Sequence, residues 1–172
     1  GADASSNFNV NSTNGKVNIT SGGAVKLGTS GSDTVKLGNI SVSGSDFDYS
    51  GNDVKIDGNI TADNVNFTNI NSFTQNANTT VTASTGNIVV DTAGNAVLNG
   101  LLQATSGNVK VNASNITSNS SNAITASTIE LVAANSIGSE SSALNFTATG
   151  SVNAQSGTGM NLNSASAVTF GD

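Results

Sequence analysis

Short triplets in which two apolar residues flank a variable one recur along the whole chain, separated by turns of Gly, Asn, Ser and Thr. Gly86-Asn87-Ile88-Val89-Val90 returns as Gly107-Asn108-Val109-Lys110-Val111, 21 residues later. A unit of this size that repeats a turn followed by an alternating strand is the mark of a solenoid. In phase with these two lie Val17/Ile19, Ile40/Val42, Val65/Phe67, Ile129/Leu131 and Val152/Ala154. Two further series fall between them. One runs through Val25/Leu27, Phe47/Tyr49, Ile70 or Phe73, Val97, Ile116, Ile137 and Met160/Leu162. The other runs through Val35/Leu37, Val54/Ile56 or Ile60, Val81/Ala83, Leu101/Leu102, Ile124, Leu144/Phe146 and Val168/Phe170.

The pattern predicts an all-β fold, a single-stranded parallel β-helix with three short strands per turn and about seven turns of about 22 residues. One turn cannot bury its own apolar face, so stability must come from stacking on its neighbours. At about 4.8 Å per turn, seven turns make a rod about 35 Å long. Alternation puts the flanking Val, Ile and Leu inside and the middle residue outside. The outward column beside the anchor series then reads Asn18, Ser41, Asn66, Val89, Lys110, Glu130 and Asn153. Lys110 beside Glu130, and Lys26 beside Asp48 in the next column, are opposite-charge neighbours that favour this register. Gly-Asn steps at Gly38, Gly51, Gly58, Gly86, Gly94 and Gly107 suit corners, because both residues tolerate left-handed backbone angles.

The chain divides into two segments. Residues 1–16 form a polar lead-in whose Phe8/Val10 pair sits where the third strand of a preceding turn would fall, which makes it a candidate for strand exchange. Residues 17–172 form the solenoid, with no linker or composition break. The chain starts at Gly1 without an initiator Met or a basic-then-apolar leader, so it is expected to be a processed product or an excerpt.

Composition narrows the function. The chain has no Pro, Cys, Trp, His or Arg, and 9% of its residues are charged, against roughly 25% in ordinary soluble domains. The regular Val and Ile alternation argues against disorder. A net charge of −6 without a basic stripe lacks the footprint of a nucleic-acid binder. No apolar run approaches the roughly 20 residues of a transmembrane helix.

Chemistry is thinly provisioned. The densest charge is Asp46, Asp48, Asp53, Asp57 and Asp63, the weak candidates for calcium, whose six to eight oxygen ligands adjacent turns could supply. The Gly-Gly-x-Gly-x-Asp nonapeptide of calcium-binding β-rolls is absent, and solvated loop carboxylates are the plainer reading. Glycosidic chemistry needs two facing carboxyls, but no Arg, no His and few aromatics accompany these. Ser nucleophiles have no His base. The expectation is a protein that is not an enzyme and has no cofactor. Thr80-Val81-Thr82 and Thr147-Ala148-Thr149 hint at an ice-binding solenoid, yet do not recur at the turn spacing. Asn-x-Ser/Thr sequons begin at Asn11, Asn18, Asn39, Asn59, Asn66, Asn78, Asn112, Asn115, Asn119 and Asn145, little more than composition predicts.

Gly86 to Ala93, Gly107 to Ala113 and, more weakly, Gly150 to Ala154 resemble the filamentous-haemagglutinin type of bacterial exoprotein, exported by two-partner secretion, and its autotransporter cousins. The resemblance is one of texture across most of the chain. It implies a right-handed parallel β-helix, an extracellular or cell-surface location, and a role in adhesion, biofilm or matrix. Such exoproteins are usually far longer, and the sequence shows no recognisable secretion domain. Curlin-type amyloid is a neighbour in composition, but Gln75, Gln103 and Gln155 are too few for its ladders.

The expected partners are therefore other copies of the chain, stacked head to tail, or flanking repeats of a longer one. Phe8 and Val10 at one end and Val168 and Phe170 at the other are the predicted assembly edges. The competing expectation is a segment of a large adhesin that binds a host or matrix ligand through loops such as Asp46 to Asp63.

Overall fold

A computed structural model describes residues 8–13, 15–28 and 33–170, with side chains from Gly15 to Thr169. Among the described residues every regular element is a β-strand, twenty-one in all, and there is no helix. The strands stack as a β-solenoid of about seven coils of about 21 residues, each coil supplying one strand to each of three faces.

Face one stacks β2 (Lys16–Ser21), the second half of β4 (Val35–Val42), β7 (Ile60–Ala62), β10 (Thr80–Ala83), the starts of β13 (Leu101–Ala113) and β15 (Ile124–Ala133), β17 (Leu144–Ala148) and β20 (Leu162–Ser164). Face two stacks β3 (Val25–Gly28), β5 (Phe47–Ser50), β8 (Val65–Ile70), β11 (Ile88–Thr92), the second halves of β13 and β15, β18 (Ser151–Ser156) and β21 (Thr169–Phe170). Face three stacks the start of β4, β6 (Val54–Ile56), β9 (Phe73–Gln75), β12 (Ala96–Leu98), β14 (Ile116–Thr117), β16 (Ser136–Ile137) and β19 (Gly159–Met160).

Period-2 alternation fills the interior. Ile40, Ile60, Val81, Leu102, Ile124 and Phe146 form one buried column; Phe47, Val65, Ile88, Val109, Ile129 and Val152 form another. The widest side chains gather in adjoining coils, where Phe67 meets Phe47 and Phe73 edge-on at centroid separations of 6.1 and 5.0 Å. Such edge contacts add about 0.5–1.5 kcal/mol to area burial.

The register differs from the expected one in the first two coils. Ile40 pairs with Ile60, and Val65 pairs with Phe47. The series that begins at Val17/Ile19 and Ile40/Val42 therefore lies on face one, whereas Val65/Phe67 and its successors lie on face two. The cause is two short coil steps: 18 residues from Phe47 to Val65 and 19 from Val54 to Phe73. Shifting by one whole strand preserves the inward alternation, so hydrophobicity alone does not detect the slip. The corrected outward column is Lys26, Asp48, Asn66, Val89, Lys110, Glu130 and Asn153. It unites both predicted charge pairs on one face.

Phe8/Val10 does not extend a preceding parallel turn. Strand β1 (Phe8–Thr13) folds back on β2 as an antiparallel hairpin, Phe8 opposite Ser21 and Thr13 opposite Lys16. Gly15 turns the hairpin at a φ of 70°, a left-handed angle at which glycine is unstrained. The lead-in and the solenoid thus share one sheet, and the boundary expected at residue 16 falls inside a hairpin.

Candidate functional site: inter-coil ladders and strand edges

The predicted cation ligands do not converge. Residues 46, 48, 53, 57 and 63 are spread around the coil perimeter, and each carboxylate faces a residue one coil on. Asp46 Oδ1 accepts from the Asn64 backbone N–H and side-chain amide at 3.1 and 2.8 Å. Asp48 Oδ1 accepts from Asn66 Nδ2 at 2.7 Å, and Asp53 Oδ1 from Asn71 Nδ2 and Ser72 Oγ at 3.1 and 2.7 Å. Asp57 Oδ1 accepts from Asn76 Nδ2, and Asp63 Oδ1 from Ser84 Oγ at 2.9 Å. Among the described residues no three acidic side chains are grouped so that they could hold a metal ion. These Asp residues act as acceptors that tie successive coils.

Asparagine does the same at the corners. Asn18 Oδ1 accepts from the Asn39 N–H at 2.8 Å, Asn39 Oδ1 from the Asn59 N–H at 2.9 Å, and Asn59 Oδ1 from the Thr80 N–H at 2.9 Å. A second ladder runs from Asp46 through Asn64 and Asn87 to Asn108, with 2.8 Å at each of its last two steps. Each rung is a neutral or charge-assisted hydrogen bond to backbone that the turn leaves unpaired, worth about 0.5–1.5 kcal/mol net when neutral.

These rungs explain the Gly-Asn steps. A Cβ on Gly38 would lie 2.2 Å from Asn18 Oδ1, and one on Gly86 would lie 2.0 Å from Asn64 Oδ1. The glycine is needed because the previous coil's amide lies directly against it. Left-handed backbone is not the reason: Gly38, Gly58, Gly86, Gly94 and Gly107 have no positive φ. Left-handed corners fall instead at Asn69 and Asn78, at φ of 54° and 62°, and at Gly44 and Gly138, at 65° and 71°.

Among the described residues, four opposite-charge contacts join the charged side chains. Lys110 Nζ donates to Glu130 Oε1 at 2.8 Å, and Lys26 stands 3.7 Å from Asp48. Both pairs are solvent-exposed, a class worth about 0–1 kcal/mol. Lys55 and Lys16 both approach Asp57 at 3.7 Å. Lys16 also donates to the Asp57 carbonyl at 3.4 Å, reaching 41 residues along the chain, two coils on, from the turn end of the β1–β2 hairpin.

Four of the ten sequons and the strands that carry both Thr pairs lie on face one. Asn18, Asn39, Asn59 and Asn145 precede the inward Ile19, Ile40, Ile60 and Phe146 on face one, so their third residues all face out. That outward column is Thr20, Ser41, Thr61, Thr82, Gln103, Thr125 and Thr147. Single hydroxyls therefore recur at the coil spacing on this face. The adjoining row passes from Thr80 to Leu101, so no paired Thr array forms.

Sequence reasoning passed over Gln75. It is fully buried, and its Nε2 donates to the carbonyls of Thr79 and Leu101 at 3.1 Å each. Its place at the second inward position of β9, where neighbours carry Ile56 and Leu98, was its only signal.

The ends differ. At the C-terminal end β19, β20 and β21 each pair only on their inner side among the described residues. Met160 is 49% exposed, and Leu162 and Val168 are half-buried. Met160 borders a surface groove of about 410 Å³ that also includes Ile137, Gly138 and Glu140. From Ser141 to Gly171 there is no charged residue and no Pro. Val168 thus flanks the predicted edge, and the Phe170 backbone pairs with Val152. At the other end β1 covers β2, whereas β3 pairs only with β5 among the described residues.

Among the described residues, no helix is long and apolar enough to cross a membrane. Compared with protein families, with characterised proteins and with solved structures, the chain matches nothing.

Proposed function

We propose that this chain is a non-enzymatic structural subunit of a bacterial surface or extracellular fibre, a rod that lengthens by adding solenoid coils at its ends. The observation that supports this reading is the uninterrupted parallel stacking of the coils, each tied to the next by strand pairing and by Asp and Asn rungs. A rod of this kind lengthens by taking further layers of strands, and a head-to-tail contact that does not close generates a filament. The polar side chains that chemistry would require are engaged in ladders between coils, which supports a mechanical role in adhesion, biofilm or matrix. The location outside the cell rests on the resemblance to haemagglutinin-type exoproteins.

The alternative, a ligand-binding or stalk segment of a large adhesin, draws on the same rod geometry. Electron microscopy with sedimentation velocity over a concentration series separates the two. Thin filaments with an axial repeat near seven coils, about 35 Å, support the subunit. Isolated short rods at every concentration reject it and favour the stalk.

A further inference from the structure

Three of the chain's five lysines stand in one outward column. Lys36 lies beside Lys55 on face three. The start of β2 continues that face: Val17 pairs with Leu37, so Lys16 stands before the one as Lys36 stands before the other. Lys16, Lys36 and Lys55 therefore occupy successive coils, about 4.8 Å apart at the backbone. Thr74 and Val97 come next in the column and bound the basic stretch. We propose that this column is a binding site for a phosphate group, with Lys36 at its centre.

Like charges side by side on neighbouring strands are destabilising, and face two avoids them. There Lys26 is followed one coil on by Asp48, and Lys110 by Glu130. On face three a single carboxylate, Asp57, pairs with lysine among the described residues. Its Oδ2 lies 3.7 Å from Lys16 Nζ and its Oδ1 3.7 Å from Lys55 Nζ. Asp57 thus gathers the two outer lysines. Lys36, exposed between them, makes no ion pair among the described residues. Asp33 and Asp53 precede β4 and β6 at the corner, but neither pairs with a lysine, and Asp53 accepts from Asn71 and Ser72 instead.

A second anion beside Lys36 completes the compensation that Asp57 begins. Each ammonium is a point charge with three donors on a flexible four-carbon stem, so tips from adjacent coils can converge on one centre. A phosphate group brings close to two charges and three strong acceptor oxygens to that centre, enough to engage Lys36 and Lys55 together. The column lies on the side of the rod, so the site stands apart from the end-to-end reading above.

Amide NMR titration of the full chain with inorganic phosphate, against sodium chloride at matched ionic strength, tests this. The expected result is saturable shifts around Lys16, Lys36 and Lys55 with phosphate and none with chloride. Lys36→Gln should raise the dissociation constant about tenfold or more, whereas Lys26→Gln, on face two, should leave it unchanged. Both replace exposed side chains, and far-UV circular dichroism checks that the coils persist. Thermal unfolding gives a second readout: phosphate at tenfold excess over its dissociation constant should raise Tm by about 3–6 °C in the unaltered chain and not in Lys36→Gln. Glycerol phosphate distinguishes the source of the group. Affinity equal to that of the free ion assigns the site to an ester-linked phosphate, and loss of binding assigns it to the ion itself. Equal responses to phosphate and chloride would reduce the column to ion screening and overturn the site, as would an unchanged phosphate affinity in Lys36→Gln.

Discussion

Replacing Gly107 with Ala is the sharpest probe of the Gly-Asn corners. The new Cβ would lie 1.9 Å from the Gly86 carbonyl oxygen, 2.6 Å from its carbon and 3.0 Å from Asn87 Oδ1. All three belong to the coil below, two of them to backbone that cannot swing away. Relief requires the coils to part locally by about 1 Å, which breaks the 2.8 Å bond from the Asn108 N–H to Asn87 Oδ1. Overpacking costs about 1–3 kcal/mol, and the lost rung about 0.5–1.5 kcal/mol. Lower chain entropy in the unfolded state returns about 0.4–1 kcal/mol. The net loss is about 0.5–4 kcal/mol, a fall in Tm of about 1–16 °C for a chain of this size. Gly159→Ala is the matched control, since its Cβ would meet nothing within 4 Å and its φ is not positive. Thermal unfolding by circular dichroism, confirmed by urea titration, should leave the control unchanged or slightly raised. Equal midpoints for the two variants would refute the account of these glycines as sites of close approach.

Asn87→Ala keeps the backbone but removes one ladder rung, and urea unfolding should register a loss of about 0.5–1.5 kcal/mol. Val109→Asp places a carboxylate at a fully buried position in the central coils; the cooperative transition should be lost or fall by more than about 4 kcal/mol, and an unchanged transition would show the coil assignment to be wrong. A double-mutant cycle on Lys110 and Glu130 should yield a coupling of about 0.2–1 kcal/mol that fades as salt rises. Millimolar calcium, against a chelator, should leave Tm unmoved, because Asp46, Asp48, Asp53, Asp57 and Asp63 face separate partners one coil on; a calcium-dependent rise would restore the cation site.

The fold was legible because inward alternation is written into every strand, and Ile88/Val90 above Val109/Val111 carries it without ambiguity. The register was legible only where coil lengths stay even. Between Phe47 and Val65 the coil shortens to 18 residues, and a hydrophobic pattern that is the same on all three faces cannot report which face it occupies. Charge could have corrected it: Lys26, Asp48, Lys110 and Glu130 fall into one column only in the true register. The hairpin was legible too. Asn14-Gly15 between two alternating runs is a strong hairpin signal, but a search for parallel repeats assigns Phe8/Val10 to one more coil.

The same geometry sets apart acidic residues that are close in sequence. Neighbours along a solenoid chain diverge around the perimeter, whereas neighbours in space stand one coil away. Asp46 with Asn64, Asp48 with Asn66, Asp53 with Asn71 and Asp57 with Asn76 are spaced by 18 or 19 residues, the same short step that displaced the register. Acid-amide pairs at that spacing therefore carry two facts at once: the length of the coil and the absence of a shared site. A carboxylate that accepts from the next coil holds the rod together, and each such rung favours one stacking register over its slips.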